Sequence, residues 1–479
     1  MSSIPNIFIA VTLAIFVYNN KNWLAIFIAL FLYSSLHYSF FLDHADLPLL
    51  PKLIGGIFVI SAYIYLFTLP DMKAALHVLR SNVILQRNLL LLGVFIIANL
   101  IYIVINLIDG HPPSLLAIKT FLFSVITWLF ACLSASIVLL CKITLKDKFK
   151  KQIVNGTLIL LTVLTAVAVT EVWYGLSYAR EVSPNGFVVT RANSFLYNPN
   201  VFGLWIFLYT VIVALLYNLR FYSKNKLMVL MFMTALSLVL SGSRAAFLTC
   251  LIMFFILFVA HLYRKGRLLS DDLLPIYCWL GFMILIMGTS LLLNYFSIHN
   301  SFNDSLIRNT KRFYDIPIET SRYAISRLGS ILGYEVSFIV SDATISTFDG
   351  RINVLVDREG FHGFQEFSTK DNIYVAMLAS GGLVGLLAWI MLWAYAIRQG
   401  FITLNKKTGV FSSYSLAMMI SYAFIGLTMR TTQMFPVWVF ISLPLSLCLA
   451  WFAFVHQENM NHDQNKNVPI SSEIEIISK

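Results

Sequence analysis

The sequence predicts an all-α polytopic membrane protein: a transmembrane helix bundle of about twelve to fourteen spans with one large periplasmic loop domain. Three observations lead to this fold class. Hydrophobic residues make up 58% of the 479 residues and charged residues only 12%. Apolar stretches long enough to cross a bilayer recur along the chain. Basic residues collect in alternate loops between these stretches, as they do in helical membrane proteins.

About thirteen stretches qualify as candidate spans by length and composition. They lie at 4–18, 23–42, 47–69, 89–108, 116–141, 153–173, 199–219, 227–241, 245–263, 273–293, 373–396, 411–428 and 435–455. Residues 1–293 therefore hold the first ten spans, 294–372 a long loop, and 373–456 the last three spans. The tail at 457–479 is rich in Asn, Ser and Glu, which predicts a disordered end.

The basic loops predict the orientation of the chain in the membrane. Lys and Arg are frequent in 142–151, 220–226 and 264–267, and the positive-inside rule assigns such loops to the cytoplasm. The net charge of +11 is spread over separate loops, which argues against a nucleic-acid-binding patch. The segments on the other side are then external: 174–198, 294–372 and 429–434.

The loop at 294–372 is long for a connector, and loops of this length are usually functional or independently folded. Thr320 and Ser321 are candidate caps of a helix with apolar residues at helical spacing. The segment 347–351 lies between β-prone runs and predicts a short hairpin. We therefore expect this loop to form a small lid over the external end of the bundle.

Arg244 is the most informative residue of the sequence, because it lies between two long apolar runs, 227–240 and 245–263. An arginine at the bilayer centre costs about 2.5–3.5 kcal/mol on insertion scales, so it must reach an interface or meet an anion. Snorkelling to the headgroups is the ordinary explanation. Binding of a lipid diphosphate is the functional one.

Other polar residues are predicted on the same external face. Taken singly, each has an ordinary explanation as an interfacial arginine, a helix cap or a solvated histidine. Together they provide cations for a phosphate and a carboxylate or imidazole that can accept a proton from a hydroxyl. Glycosyl transfer from a lipid diphosphate needs this combination. The residues are Arg191, Arg244, Arg430, His362, Asp371 and Asn372.

Three motifs, in this order, resemble the O-antigen ligase and O-antigen polymerase superfamily of bacterial inner membranes. They are Arg191 followed by Asn198-Pro199-Asn200, then Ser-Gly-Ser-Arg-Ala-Ala at 241–246, then Asp-Asn-Ile-Tyr-Val-Ala-Met-Leu-Ala-Ser-Gly-Gly-Leu-Val-Gly at 371–385. The resemblance covers residues 185–396. It implies a metal-independent enzyme without a cofactor, which takes glycans from undecaprenyl diphosphate on the periplasmic side, with Arg191 and Arg244 holding the diphosphate. Arg430 lies beyond the matched residues, and its predicted external position leads us to expect that it assists the donor or acceptor phosphate.

One departure favours the polymerases within this family. Ligases tend to present a His-Asn pair at the start of the helix after the large loop, where this chain has Asp371-Asn372. Aspartate is a weaker base than histidine and needs burial to reach a useful pKa. We therefore expect a repeat-unit polymerase whose base is Asp371, with His362 as the other candidate. Its partners would be lipid-linked donor and acceptor, a chain-length regulator and a flippase.

Several alternatives stay open at this point. A ligase would use lipid A core as the acceptor, and a protein O-oligosaccharyltransferase would use a protein hydroxyl. A flippase for lipid-linked oligosaccharides is the non-enzyme hypothesis, although a flippase should carry charges along a path through the membrane. Asp43, His44 and Asp46 could bind a divalent cation, but so short a polar segment between two spans is more simply a turn.

Overall fold

Helices dominate the computed structural model, which describes residues 71–108, 115–140, 147–177, 180–182, 186–194, 199–268, 270–314, 373–405, 410–428 and 445–456. The helices are α1 (Asp71–Ser81), α2 (Val83–Ile108), α3 (Leu115–Leu140), α4 (Asp147–Tyr174), α5 (Pro199–Asn218), α6 (Lys224–Ser241), α7 (Arg244–Lys265), α8 (Leu274–Tyr295), α9 (Ser301–Tyr314), α10 (Ile373–Asn405), α11 (Val410–Thr428) and α12 (Leu445–His456). A two-stranded sheet, β1 (Arg180–Val182) and β2 (Val188–Thr190), lies between α4 and α5.

Within the described part of the chain, six helices are long and apolar enough to cross a membrane. They are α2, α5, α6, α7, the stretch Asp271–Tyr295 that contains α8, and the Gly381–Leu404 part of α10. Shorter apolar segments lie in α3, α4, α11 and α12. A mostly helical membrane fold is thus confirmed. The first three predicted spans lie outside the described residues, so the total of thirteen stays a prediction.

Helix α5 is at the centre of the bundle, with α6 and α7 packed against it. It begins at Pro199 as the sequence predicts, since proline has a suitable φ for a first helical turn and lacks only an N–H that would be unpaired there. A Cβ on Gly203 would overlap the Cβ of Ser243 and lie 3.0 Å from the Cβ of Ala246. The missing side chain therefore lets the start of α7 lie directly against α5.

Basic residues at one end of the bundle are paired with acids. Lys224 Nζ lies 3.2 Å from Asp271 Oδ1, and Lys265 Nζ lies 2.5 Å from Asp272 Oδ2. Arg220 approaches Asp271 at 4.0 Å. These side chains are partly exposed, so each pair adds little stability. We call this the aspartate end; the opposite end, where α6 stops and α7 starts, is the arginine end.

Helix α10 is interrupted in its N-terminal third. Gly382 has φ 60° and ψ −166°, a conformation that glycine adopts without a Cβ clash. A Cβ on Gly381 would overlap the side-chain amide of Asn99 in α2, and one on Gly385 would lie 3.1 Å from Asn99 Oδ1. Asn99 is fully buried and donates to Phe95 O at 2.8 Å. The two helices therefore meet where the Asn99 side-chain amide lies against Gly381 and Gly385.

Helix α1 lies between the third and fourth predicted spans, where the sequence predicted no helix. Ala75 and Leu79 are buried where α1 packs on α3, while Leu76, His77 and Arg80 are exposed. Eleven residues are too few to register as a span. The structure therefore adds a short amphipathic helix beside the bundle.

Gly203→Ala should lower the thermal stability of the purified protein, because the new methyl overlaps Ser243. Overpacking of this kind costs about 1–3 kcal/mol. Gly281→Ala in α8 is the matched control, since nothing lies within 4 Å of its Cβ position, and helix propensity favours alanine by about 1 kcal/mol. Melting in detergent measures both, and equal melting temperatures would contradict the close α5–α7 approach.

Gly381→Ala should destabilise the protein through the collision with Asn99, and Asn99→Ala should restore part of the loss by removing the colliding amide. Directly contacting residues couple by about 0.5–3 kcal/mol in such cycles. Melting of the two single variants and the double variant measures this coupling. Additive losses would mean that α2 and α10 do not meet at these positions.

Candidate functional site

A β-hairpin leads into the arginine end. Arg180 pairs with Thr190 and Val182 with Val188 in an antiparallel ladder, and Gly186 takes φ 79° between the strands. The sequence analysis treated 174–198 as an external loop without strands. The sequence pattern for these strands is weak, because each strand has only three residues. The hairpin delivers Arg191, the residue after β2, to the C-terminal end of α6.

Arg191 caps α6. Its Nε donates to Ser241 O at 2.9 Å, and its Nη2 donates to Gly242 O at 3.3 Å and to Asn200 Oδ1 at 2.9 Å. The last carbonyls of a helix have no partner within it, and a cation there is favoured by the helix dipole. Arg191 therefore has a structural role whatever else it binds.

Part of the Arg191 guanidinium remains available to a ligand. No residue within the described ranges accepts a hydrogen bond from its Nη1 group. Burial, together with the positive charges of Arg312 and Arg244, lowers its pKa to about 9, so it is still charged at neutral pH. The charged groups that lower the pKa of Arg191 are therefore both cations. A bound anion would relieve the repulsion among these three arginines.

Helix α9 brings further basic residues to the site. Asn309 Nδ2 donates to Thr190 O at 3.1 Å and to Leu240 O at 3.0 Å, and Thr190 N donates to Ser305 Oγ at 3.0 Å. These bonds fix α9 against β2 and the end of α6. Burial, Arg244 and Arg308 lower the pKa of Arg312, which places all three guanidinium groups in one electrostatic cluster.

The turn between α6 and α7 is built around glycine. Gly242 has φ 57° and caps α6 in the left-handed conformation, which glycine adopts readily. A Cβ there would lie 2.9 Å from Asn309 Oδ1 and 3.3 Å from Arg191 Nε. The turn therefore needs glycine both for its backbone angles and for the approach of these two side chains.

The N-terminus of α7, which is the positive end of its helix dipole, lies at the arginine end. Ser243 precedes the helix but makes no side-chain cap bond, and its buried Oγ has no partner among the described residues. The first intrahelical bond runs from Phe247 N to Ser243 O at 3.1 Å. Unpaired amides and the helix dipole favour an anion at this position. Arg244, the first residue of α7, adds its own charge.

Arg191, Arg244, Arg308 and Arg312 therefore gather at the arginine end, in what we call the arginine cluster. The sequence predicted the first two, whereas Arg308 and Arg312 were missed because no helix was predicted over Ser301–Tyr314. The helix predicted after Thr320 and the hairpin predicted at 347–351 lie outside the described residues. Arg308 and Arg312 are four residues apart, which puts them on one helix face, and this spacing was the available signal. Four predicted site residues lie outside the described residues: His362, Asp371, Asn372 and Arg430.

No three His, Cys, Asp or Glu side chains form a metal-binding group within the described ranges. The segment with Asp43 and Asp46 lies outside them. What the site offers chemically is positive charge, from guanidinium groups and one helix N-terminus. Guanidinium groups are suited to bidentate binding of phosphate oxygens.

Comparison of the sequence with models of known protein families gives no match. Comparison with curated proteins gives none either.

Arg312→Ala should weaken binding of inorganic pyrophosphate to the purified protein by about tenfold or more, since a charge-assisted hydrogen bond contributes roughly 1.5–3 kcal/mol. Lys311→Ala is the matched control, because the neighbouring Lys311 is exposed. Isothermal titration calorimetry in detergent compares them. Equal affinities for the two variants would remove Arg312 from the site.

Proposed function

We propose that the protein is a polysaccharide repeat-unit polymerase of the bacterial inner membrane. It transfers a growing glycan from undecaprenyl diphosphate to the terminal sugar hydroxyl of another lipid-linked repeat, on the periplasmic face. The observation that carries the proposal is the arginine cluster, held at one end of a bundle of membrane-length helices.

A lipid diphosphate suits this location. Its polyprenyl tail belongs in the bilayer, and its charged group belongs at the end of the spanning helices. Several arginines so close together repel one another, and a multivalent anion removes that repulsion. As the glycosidic bond breaks, negative charge grows on the leaving diphosphate, and fixed cations lower the energy of that transition state.

Charge distribution supports an external site. The aspartate end carries Arg220, Lys224 and Lys265, two of them within 3.2 Å of an aspartate, and belongs in the cytoplasm by the positive-inside rule. The arginine cluster is then external, where that rule disfavours basic residues. Its arginines are thus better explained by an anionic ligand than by topology.

The proposed reaction needs a base on the acceptor side. Asp371 or His362 accepts the proton of the sugar hydroxyl, whose oxygen attacks the anomeric carbon of the donor. The bond from that carbon to the diphosphate oxygen breaks, and undecaprenyl diphosphate leaves with Arg191 and Arg244 neutralising it. Asn372 would orient the acceptor, and Arg430 would assist a phosphate. The family resemblance supports these acceptor-side roles.

Deletion of the gene in its host should leave the surface polysaccharide as a single repeat unit, without the ladder of longer chains, on a gel. Arg244→Ala should fail to restore the ladder, because loss of one such donor costs about 100-fold or more in rate. Lys311→Ala should restore it.

Two results would contradict the proposal in different ways. A ladder of normal length from Arg244→Ala, expressed at wild-type level, would refute the role of this residue. Absence of all glycan from the lipid core, with long chains accumulating on the polyprenyl carrier, would identify a ligase instead.

A further inference from the structure

Glu171 is an acidic residue in an unfavourable position. It lies in the last turn of α4, three residues before the end at Tyr174, where the negative end of the helix dipole repels a carboxylate. It is also only partly exposed. Ionisable residues in membrane helices are costly and usually functional. The position of Glu171 therefore requires hydrogen-bond partners that stabilise its carboxylate.

The partners of Glu171 are two successive backbone amides. Its Oε2 accepts from Asn193 N at 3.0 Å and from Ser194 N at 2.7 Å. Ser194 has φ 51°, the left-handed region that non-glycine residues enter rarely. Consecutive amides in such a turn form a concave anion site. Here a carboxylate of the protein itself occupies it.

The same end of α4 holds the rest of the loop. Ser177 Oγ, just beyond the helix, donates to Arg191 O at 2.5 Å, and it lies 2.9 Å from Asn193 Oδ1. On the other side, Ala192 N donates to Leu240 O at 2.8 Å. The backbone of 191–194 is thus clamped between α4 and the end of α6.

We propose that Glu171 is a positioning residue for Arg191. By holding the amides two and three residues further along, it fixes the direction in which the Arg191 guanidinium leaves the backbone and keeps its Nη1 group towards the diphosphate. The inference rests on the proposed function for its ligand, a diphosphate. It adds a residue on a different helix that acts on the ligand only through Arg191.

A double-mutant cycle on the full-length protein tests this, with inorganic pyrophosphate and farnesyl diphosphate as probes in calorimetry. Glu171→Ala should weaken binding by about tenfold, as expected when a binding group is misplaced by a fraction of an ångström. In an Arg191→Ala background the same change should have almost no further effect, because residues that act through one another are not additive. Thr170→Val, at an exposed neighbour, is the control.

Conservative variants separate positioning from folding. Glu171→Gln keeps an acceptor oxygen at the same reach, so binding should stay within about threefold of wild type. Glu171→Asp shortens the side chain and should behave like the alanine variant. Rescue by Gln but not by Asp, at equal melting temperature, is not expected from a residue that only stabilises the fold.

Several outcomes would overturn the inference. Equal and additive losses in the wild-type and Arg191→Ala backgrounds would show that Glu171 does not act through Arg191. A Glu171→Gln variant that binds pyrophosphate as weakly as Glu171→Ala would show that an acceptor oxygen at this position does not orient Arg191. If wild-type protein binds neither probe, the proposed function fails as well; if it binds and Glu171→Ala binds equally, only this inference fails.

Discussion

The capping of α6 is the interaction on which the arginine end depends. A helix that ends within a membrane protein cannot leave its last carbonyls unpaired, because no bulk water is there to replace the missing bonds. Leu240 O accepts from Ala192 N and from Asn309 Nδ2, while Ser241 O and Gly242 O accept from Arg191. One helix end thereby fixes the hairpin, α9 and the turn into α7 relative to one another.

Capping accounts for one cation but not for a cluster. A single guanidinium satisfies the carbonyls of α6. Burial lowers the pKa of Arg191, and the positive charges of Arg312 and Arg244 lower it further. The uncapped first turn of α7 adds further positive potential. Under the proposed function, a bound diphosphate would relieve this repulsion between like charges.

The sequence predicted the elements that depend on local pattern. Continuous hydrophobicity located the spanning helices, and Asn198-Pro199 located the start of α5. Arg244 stood out because an arginine between two apolar runs is costly, and Arg191 was identified from its place in the external segment before the seventh span. The hairpin, α9 and the break at Gly382 were missed, since short elements carry little periodicity. Glu171 and Arg312 acquire their roles only through docking of α4 and α9, which no local pattern encodes.

Under the proposed reaction, the donor-side and acceptor-side residues come from different elements of the chain. The arginine cluster is carried by β2, α7 and α9, whereas Asp371 and Asn372 precede α10, which packs on α2, α3 and α11. Only α11 contacts both α7 and α10 extensively among the described elements, and the N-terminal segment of α10 is set off by the break at Gly382. A polymerase must hold one lipid-linked chain while the other exchanges. If the proposal holds, the donor would be bound by β2, α7 and α9, and the acceptor beside the helix that carries the glycine break, with α11 as the main packing link between the two.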